Sequence, residues 1–143
     1  VAIYLETSPL LSWLFNQDTA QIVKATLQSG ETLVTSSLTR IETIRAILRA
    51  TALNKVTREQ SDSLVQGANH ILSACIIKRI STAVEKQASK AFPIEPIRSL
   101  DAIHLATATI FLAAYPDLKI LSFDLRVINN AKALGFELHN EAR

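Results

Sequence analysis

Apolar residues along this chain fall into short continuous runs that alternate with helical stripes. Residues 1–5 (Val-Ala-Ile-Tyr-Leu) form an apolar run that stops at Glu6-Thr7-Ser8-Pro9, where Ser8 can cap a helix and Pro9 suits its first position. A second helical stretch begins near Thr19 and ends near Gly30, and Thr32–Ser36 then has the β-branched character of a strand. Leu38, Ile41, Ile44 and Leu48 recur at three- and four-residue steps, which predicts one buried stripe on a long helix. Thr57 and Gln60 predict a capping box that opens a helix over residues 58–72, with Leu64, Val65, Ala68, Ile71 and Leu72 facing inward and Gly67 weakening it modestly. Residues 75–80 read as a third strand, 82–91 as a helix and 92–96 as a loop. Ser99 is placed to cap an apolar helix over 100–114, followed by a strand at 119–123, a helix at 125–134 closed by Gly135, and a short last strand at 136–138.

Strands of four or five apolar residues flanked by helices require a sheet covered on both faces. The expected class is α/β, a three-layer α/β/α sandwich around a mostly parallel sheet of four or five strands. With no internal repeat, low-complexity segment or Gly/Ser linker, residues 1–143 read as one domain. A composition of 48% hydrophobic and 20% charged residues is that of an ordinary globular protein. The lone Cys75 excludes an intramolecular disulfide, reads as a core residue and fits a cytoplasmic location. The apolar stretch 102–115 is interrupted by His104, Thr107 and Thr109 and is shorter than the roughly 20 residues of a spanning helix, so no membrane is expected. The first five residues have no basic leader and meet Glu6, which is wrong for a signal peptide. Leu10, Leu11, Trp13, Leu14 and Phe15 are too apolar for one face of a surface helix, so part of this cluster enters the core or covers an interface.

Candidate chemistry comes from where the acids fall. In open parallel sheets the ligand crevice lies outside the carboxyl ends of the strands. Glu6 follows the first strand, Glu42 lies early in the helix after the second, Asp101 sits in the first turn of the central helix, and Asp124 follows the fourth strand. All four can converge on one edge. Asp124 could simply cap a helix, and Asp101 could meet the positive end of a helix dipole. Yet Asp101 is in phase with Leu105, Ala108 and Leu112, and Glu42 lies four residues after Leu38, so both head toward apolar faces where an unpaired acid is costly. Arg45 offers Glu42 one ion pair, with Arg40 nearby. Carboxylates that share a pocket repel unless a cation is bound, and a hard divalent ion, Mg2+ or Mn2+, suits an all-oxygen set and a phosphodiester substrate. Zinc fits poorly, because His70, His104 and His139 are scattered and Cys75 is alone. His104 reads as a structural hydrogen-bonder rather than a base. No Gly-rich phosphate loop and no Gly-x-Ser-x-Gly elbow is present, which argues against nucleoside triphosphate and serine hydrolysis. The absence of an Asp-x-Asp pattern leaves a small-phosphate phosphatase a distant option.

The runs Ile3-Tyr4-Leu5-Glu6-Thr7-Ser8, Thr35-Ser36-Ser37-Leu38-Thr39-Arg40-Ile41-Glu42, Arg98-Ser99-Leu100-Asp101-Ala102-Ile103-His104-Leu105-Ala106-Thr107-Ala108 and Ser122-Phe123-Asp124, with Ala131 and Leu134-Gly135, resemble the PIN-domain family. Within it they look most like VapC-type toxins of type II toxin–antitoxin pairs, in order along essentially the whole chain. The resemblance implies a Mg2+- or Mn2+-dependent endoribonuclease site at Glu6, Glu42, Asp101 and Asp124, with hydroxyl support from Ser8 and Ser122. Glu6, Glu42 and Asp101 would be the primary ligands, and Asp124 would position a second ion or its waters. It also implies homodimerisation and a VapB-type antitoxin whose C-terminal segment covers the site. The family generally carries Asp where this chain has Glu6, and the extra methylene is expected to push the carboxylate outward. A weakened, RNA- or antitoxin-binding module is therefore the alternative. Pro9 also departs from the usual small or aliphatic residue. Arg40, Arg45, Arg98 and Arg126 are candidate phosphate contacts, each equally readable as solvated surface or an ion pair. The net charge of +2 then acquires structure: with the four acids pooled around metal, nine remain against 15 Lys+Arg, leaving +6 (15 − 9) for an RNA backbone to approach.

Overall fold

A computed structural model describes residues 1–139. Its sheet comprises β1 (Ala2–Leu5), β2 (Thr32–Ser36), β3 (Ile76–Lys78), β4 (Lys119–Leu121) and β5 (Glu137–Leu138), ordered β3-β2-β1-β4-β5 with every neighbouring pair parallel. The connections carry α1 (Thr7–Leu14), α2 (Ala20–Gln28), α3 (Ser37–Ala52), α4 (Arg58–Ser73), α5 (Thr82–Ala88), α6 (Ser99–Phe111) and α7 (Leu125–Ala133). This is the expected α/β sandwich, with five strands. Among the described residues, no helix is long and apolar enough to cross a membrane.

The central strand explains the layers. All of β1 is buried, and its side chains alternate between two cores as a period of two requires. Ala2 and Tyr4 join Ala102, Leu105 and Ala108 of α6 and Val127 and Ala131 of α7. Ile3 and Leu5 join Leu10 of α1 and Ile71 and Leu72 of α4 on the opposite face. Trp13 and Leu14 are half-buried against this second core, so the α1 cluster divides between the core and the surface. Gly67 marks the close approach of α4 to α1, since a Cβ there would stand 3.1 Å from Leu14 Cδ2.

Several local expectations hold. The capping box is complete, with Thr57 Oγ1 accepting from Gln60 N at 3.1 Å and Gln60 Oε1 from Thr57 N at 2.8 Å. Gly135 follows α7 at φ +94°, the left-handed conformation in which glycine ends a helix without strain. Other expectations fail for identifiable reasons. Ser8 does not cap α1: Glu6 occupies that position, and the Ser8 hydroxyl is bonded to it instead. Pro9 stands third in the helix, where its missing N–H still leaves no hydrogen bond broken. Ser99 is the first residue of α6 rather than its cap, which is Arg98. The third strand shrinks to Ile76–Lys78 because β3 is an edge, with Ile76 47% exposed. Cys75 precedes that strand and is half-buried rather than deep in the core, and burial pushes its thiol up to about 11.

The phase of α3 is the main correction. Its buried residues are Leu38, Thr39, Thr43 and Ile47, while Ile41 and Leu48 of the expected stripe are 54% and 43% exposed. Inward threonines displace the apolar stripe; Thr39 Oγ1 accepts from Thr35 Oγ1 of β2 at 2.8 Å. Ile47→Ala is therefore expected to destabilise by about 2–5 kcal/mol, and Leu48→Ala by about 0.5 kcal/mol or less, measured by urea denaturation.

Candidate active site

Four helices begin at the carboxyl edge of the sheet and carry the acids to it. Glu6 ends β1 and occupies the N-cap of α1, Glu42 lies in the second turn of α3, Asp101 is third in α6, and Asp124 is the N-cap of α7. Helix N-termini favour negative charge, which eases this concentration of acids. All four line one open cavity of about 880 Å³. The same cavity is walled by Leu11, Leu48, Leu53 and Leu100 and includes Arg45, Arg49 and Arg98.

Each acid is held differently. Glu6 is only 7% exposed, and its Oε1 accepts from Ser8 Oγ at 2.5 Å and Ser122 Oγ at 2.7 Å. Ser8 Oγ in turn accepts from Phe123 N at 2.9 Å and Ser122 Oγ from Asp124 N at 3.1 Å, which laces the end of β1 to the segment after β4. The extra methylene therefore does not send the carboxylate outward; two hydroxyls keep it inside. Glu42 Oε1 accepts from Thr7 Oγ1 at 2.6 Å and lies 2.6 Å from His104 Nε2. His104 is buried, with Nδ1 2.8 Å from the Tyr4 hydroxyl. Burial, then the nearby Glu6 and Glu42 charges, raise the Tyr4 pKa well above its ordinary value, so the hydroxyl keeps its proton and can donate to Nδ1. That assignment leaves the ring proton on Nε2, directed at Glu42. Burial alone pushes the Glu42 carboxyl upward, but the bonds from His104 and Thr7, with the electrostatic pull of the imidazole and of Arg98, outweigh it and hold the group below its usual range.

Asp101 and Asp124 share one cation. Arg98 donates from Nε to Asp101 Oδ2 at 2.8 Å, from Nη2 to Asp101 Oδ1 at 3.1 Å and from Nη2 to Asp124 Oδ2 at 2.9 Å. The hydrogen bond and charge of Asp101, with those of Asp124, raise the guanidinium pKa further. Asp124 Oδ1 accepts from Arg126 N at 2.9 Å and so also caps α7. Of the readings open to Arg98, the structure shows the ion pair, and the partner of Glu42 is His104 rather than Arg45. Arg45 does line the cavity, whereas Arg40 and Arg126 are exposed and do not. Tyr4, Thr7 and Arg49 were not anticipated. A tyrosine inside an apolar strand does demand a hydrogen-bond partner, but nothing in the sequence says which.

Ligand atoms of Glu6, Glu42 and His104 lie within 4.8 Å of one another. His104 is engaged by Glu42 and Tyr4, and among the described residues the bonds to both glutamates fall on Oε1, which leaves each Oε2 open to a ligand. Close, anionic oxygen donors of this kind fit a hard divalent ion.

The family model described as PIN domain matches residues 3–133. The chain belongs to the PIN-domain family. Among PIN relatives, it is 29% identical over 135 residues to Ribonuclease VapC46 of Mycobacterium tuberculosis (strain ATCC 25618 / H37Rv), covering 94% of this chain and 93% of that one. It is 31% identical over 135 residues to Ribonuclease VapC35 of the same species (strain CDC 1551 / Oshkosh), covering 93% and 92%. The PIN fold also superposes on a chain in the crystal structure of VapBC2 from Rickettsia felis bound to a DNA fragment from their promoter, with TM-score 0.63, 12% identity and coverage of 97% and 98%.

Because folded Glu42 binds its proton less tightly than the unfolded chain does, its stabilising contribution is complete above the ordinary Glu pKa and is lost as pH falls through the lower folded value. The stability difference between the wild type and Glu42→Gln is expected to narrow as pH drops from about 7 to about 3, measured by denaturant titration at each pH.

Proposed function

We propose that this PIN-domain protein is a Mg2+- or Mn2+-dependent endoribonuclease and the toxin of a VapBC-type pair, acting as one domain over residues 1–143. The observation that carries this reading is the convergence of Glu6, Glu42, Asp101 and Asp124 on one cavity at the carboxyl edge of the sheet. Glu6, Glu42 and Asp101 would hold the ion, and Asp124 would orient a second ion or its waters. A bound divalent ion supplies a lowered water pKa and offsets charge at the scissile phosphate. The chain's own residues supply fixed positions: Ser8 and Ser122 hold Glu6, and Thr7 and His104 hold Glu42, so neither glutamate has to be ordered when ligand arrives. Arg45 and Arg49 on the cavity wall give an RNA backbone cationic contacts beside the acids.

The same cavity supports the partner assignment. Leu48, Leu53 and Leu100 are exposed along its wall, an apolar strip suited to the C-terminal segment of a VapB-type antitoxin. The VapC relatives, and the VapBC2 complex whose fold is shared, support that pairing. Homodimerisation and a cytoplasmic location belong to the same reading. A binding module without turnover is the competing reading, and the inward clamp on Glu6 argues against it.

Single-stranded RNA is expected to be cut internally when incubated with the protein and Mn2+ or Mg2+, and EDTA is expected to abolish cutting. Asp101→Asn should lower the rate by about a hundredfold or more. Cleavage that survives EDTA or this substitution refutes the metal-dependent reading. Glu6→Asp should cut at a rate comparable to the wild type; cutting that appears only in this variant would establish the binding module.

A further inference from the structure

Two halves of the acid cluster are compensated in unlike ways. Glu6 is held by neutral hydroxyls, and Glu42 by a hydroxyl and an imidazole. Asp101 instead has an Arg98 N–H on each of its oxygens, and the same guanidinium reaches Asp124. This follows from local geometry. Arg98 is the extended N-cap of α6 (φ −74°, ψ 147°), and its side chain folds back over the first turn to Asp101 before crossing to the start of α7.

We propose that Arg98 is a resident counter-ion that competes with the divalent ion for Asp101 and Asp124 and thereby sets the metal affinity of the site. A cation approaching either Asp101 oxygen meets an N–H of Arg98 already bonded there, and the two positive charges compete for the same carboxylate. Exposure makes that exchange feasible, because the Arg98 side chain is 54% exposed while that of Asp101 is 9% exposed. The guanidinium can swing into water without opening the core; the aspartate cannot. Once displaced it remains tethered at the cavity mouth with its donors free, in a geometry that matches a phosphodiester oxygen pair. In the metal-free protein it relieves repulsion between two aspartates, and in the metal-bound protein it becomes available to substrate. The inference rests on the metal-dependent reading above and adds to it a residue that tunes the ion.

Mn2+ titration of the metal-free protein by isothermal calorimetry, without RNA, tests it. Arg98→Gln removes the charge and is expected to tighten Mn2+ binding about tenfold, with Arg98→Lys between it and the wild type. The metal-free Arg98→Gln protein is also expected to melt below the wild type and to gain more from saturating Mn2+. Equal or weaker Mn2+ binding by folded Arg98→Gln overturns the competition and leaves the nuclease reading intact. Absence of Mn2+ binding in both folded proteins overturns both. If Arg98→Gln does not fold, Arg98→Lys decides: tighter binding than the wild type supports the exchange, and unchanged binding overturns it.

Discussion

Negative charge crowded at one end of a parallel sheet is the constraint that the rest of this structure answers. Two unit charges about 4 Å apart repel by about 1 kcal/mol in water and about 4 kcal/mol at the effective dielectric of a protein surface. A carboxylate oxygen of Glu6 and one of Glu42 lie within 4.8 Å of each other, and Asp101 and Asp124 are near enough to share a guanidinium. No single device compensates all four. Hydroxyl dipoles serve Glu6, an imidazole held by a buried tyrosine serves Glu42, and one arginine serves both aspartates.

The fold makes these compensations possible by directing residues close in sequence to different places. Tyr4 points into the α6 side of the sheet and meets His104, whereas Leu5 points to the α1 side. Glu6 then emerges at the strand end, and Thr7, one residue later, turns its hydroxyl to Glu42 on α3. A polar chain thus runs from the core to the cavity through Tyr4, His104, Glu42 and Thr7, with each buried polar atom along it bonded to the next. Ser8 and Ser122 form a second link between β1 and the segment after β4.

Much of this is legible in the sequence. Short apolar runs separated by helical stripes give parallel strands, and the positions after such strands are where side chains meet a crevice, so Glu6, Glu42, Asp101 and Asp124 could be picked out together. The α3 stripe is ambiguous in the sequence because Ile41 and Leu48 satisfy a helical period as well as Ile47 does. Which arc faces inward depends on the hydroxyl contacts of Thr39 and on the packing of α1 and α4 against the helix. Arg98 stays open in the sequence for a related reason: a basic residue three positions before an acid is compatible with solvent, a phosphate or that acid, and the structure shows the ion pair.

The sequence by itself determined the class of fold, the order of its elements and the strand ends at which the acids emerge, because these follow from local period and from turn chemistry. It also determined that Asp101 needs a partner, since its helical phase is apolar. Only the tertiary structure decided who the partners are. His104 for Glu42 and Asp124 for Arg98 are separated by 62 and 26 positions along the chain, and Ser122 for Glu6 by 116. Such pairings depend on the distance and direction at which folded segments meet, and no residue pattern within one segment encodes them.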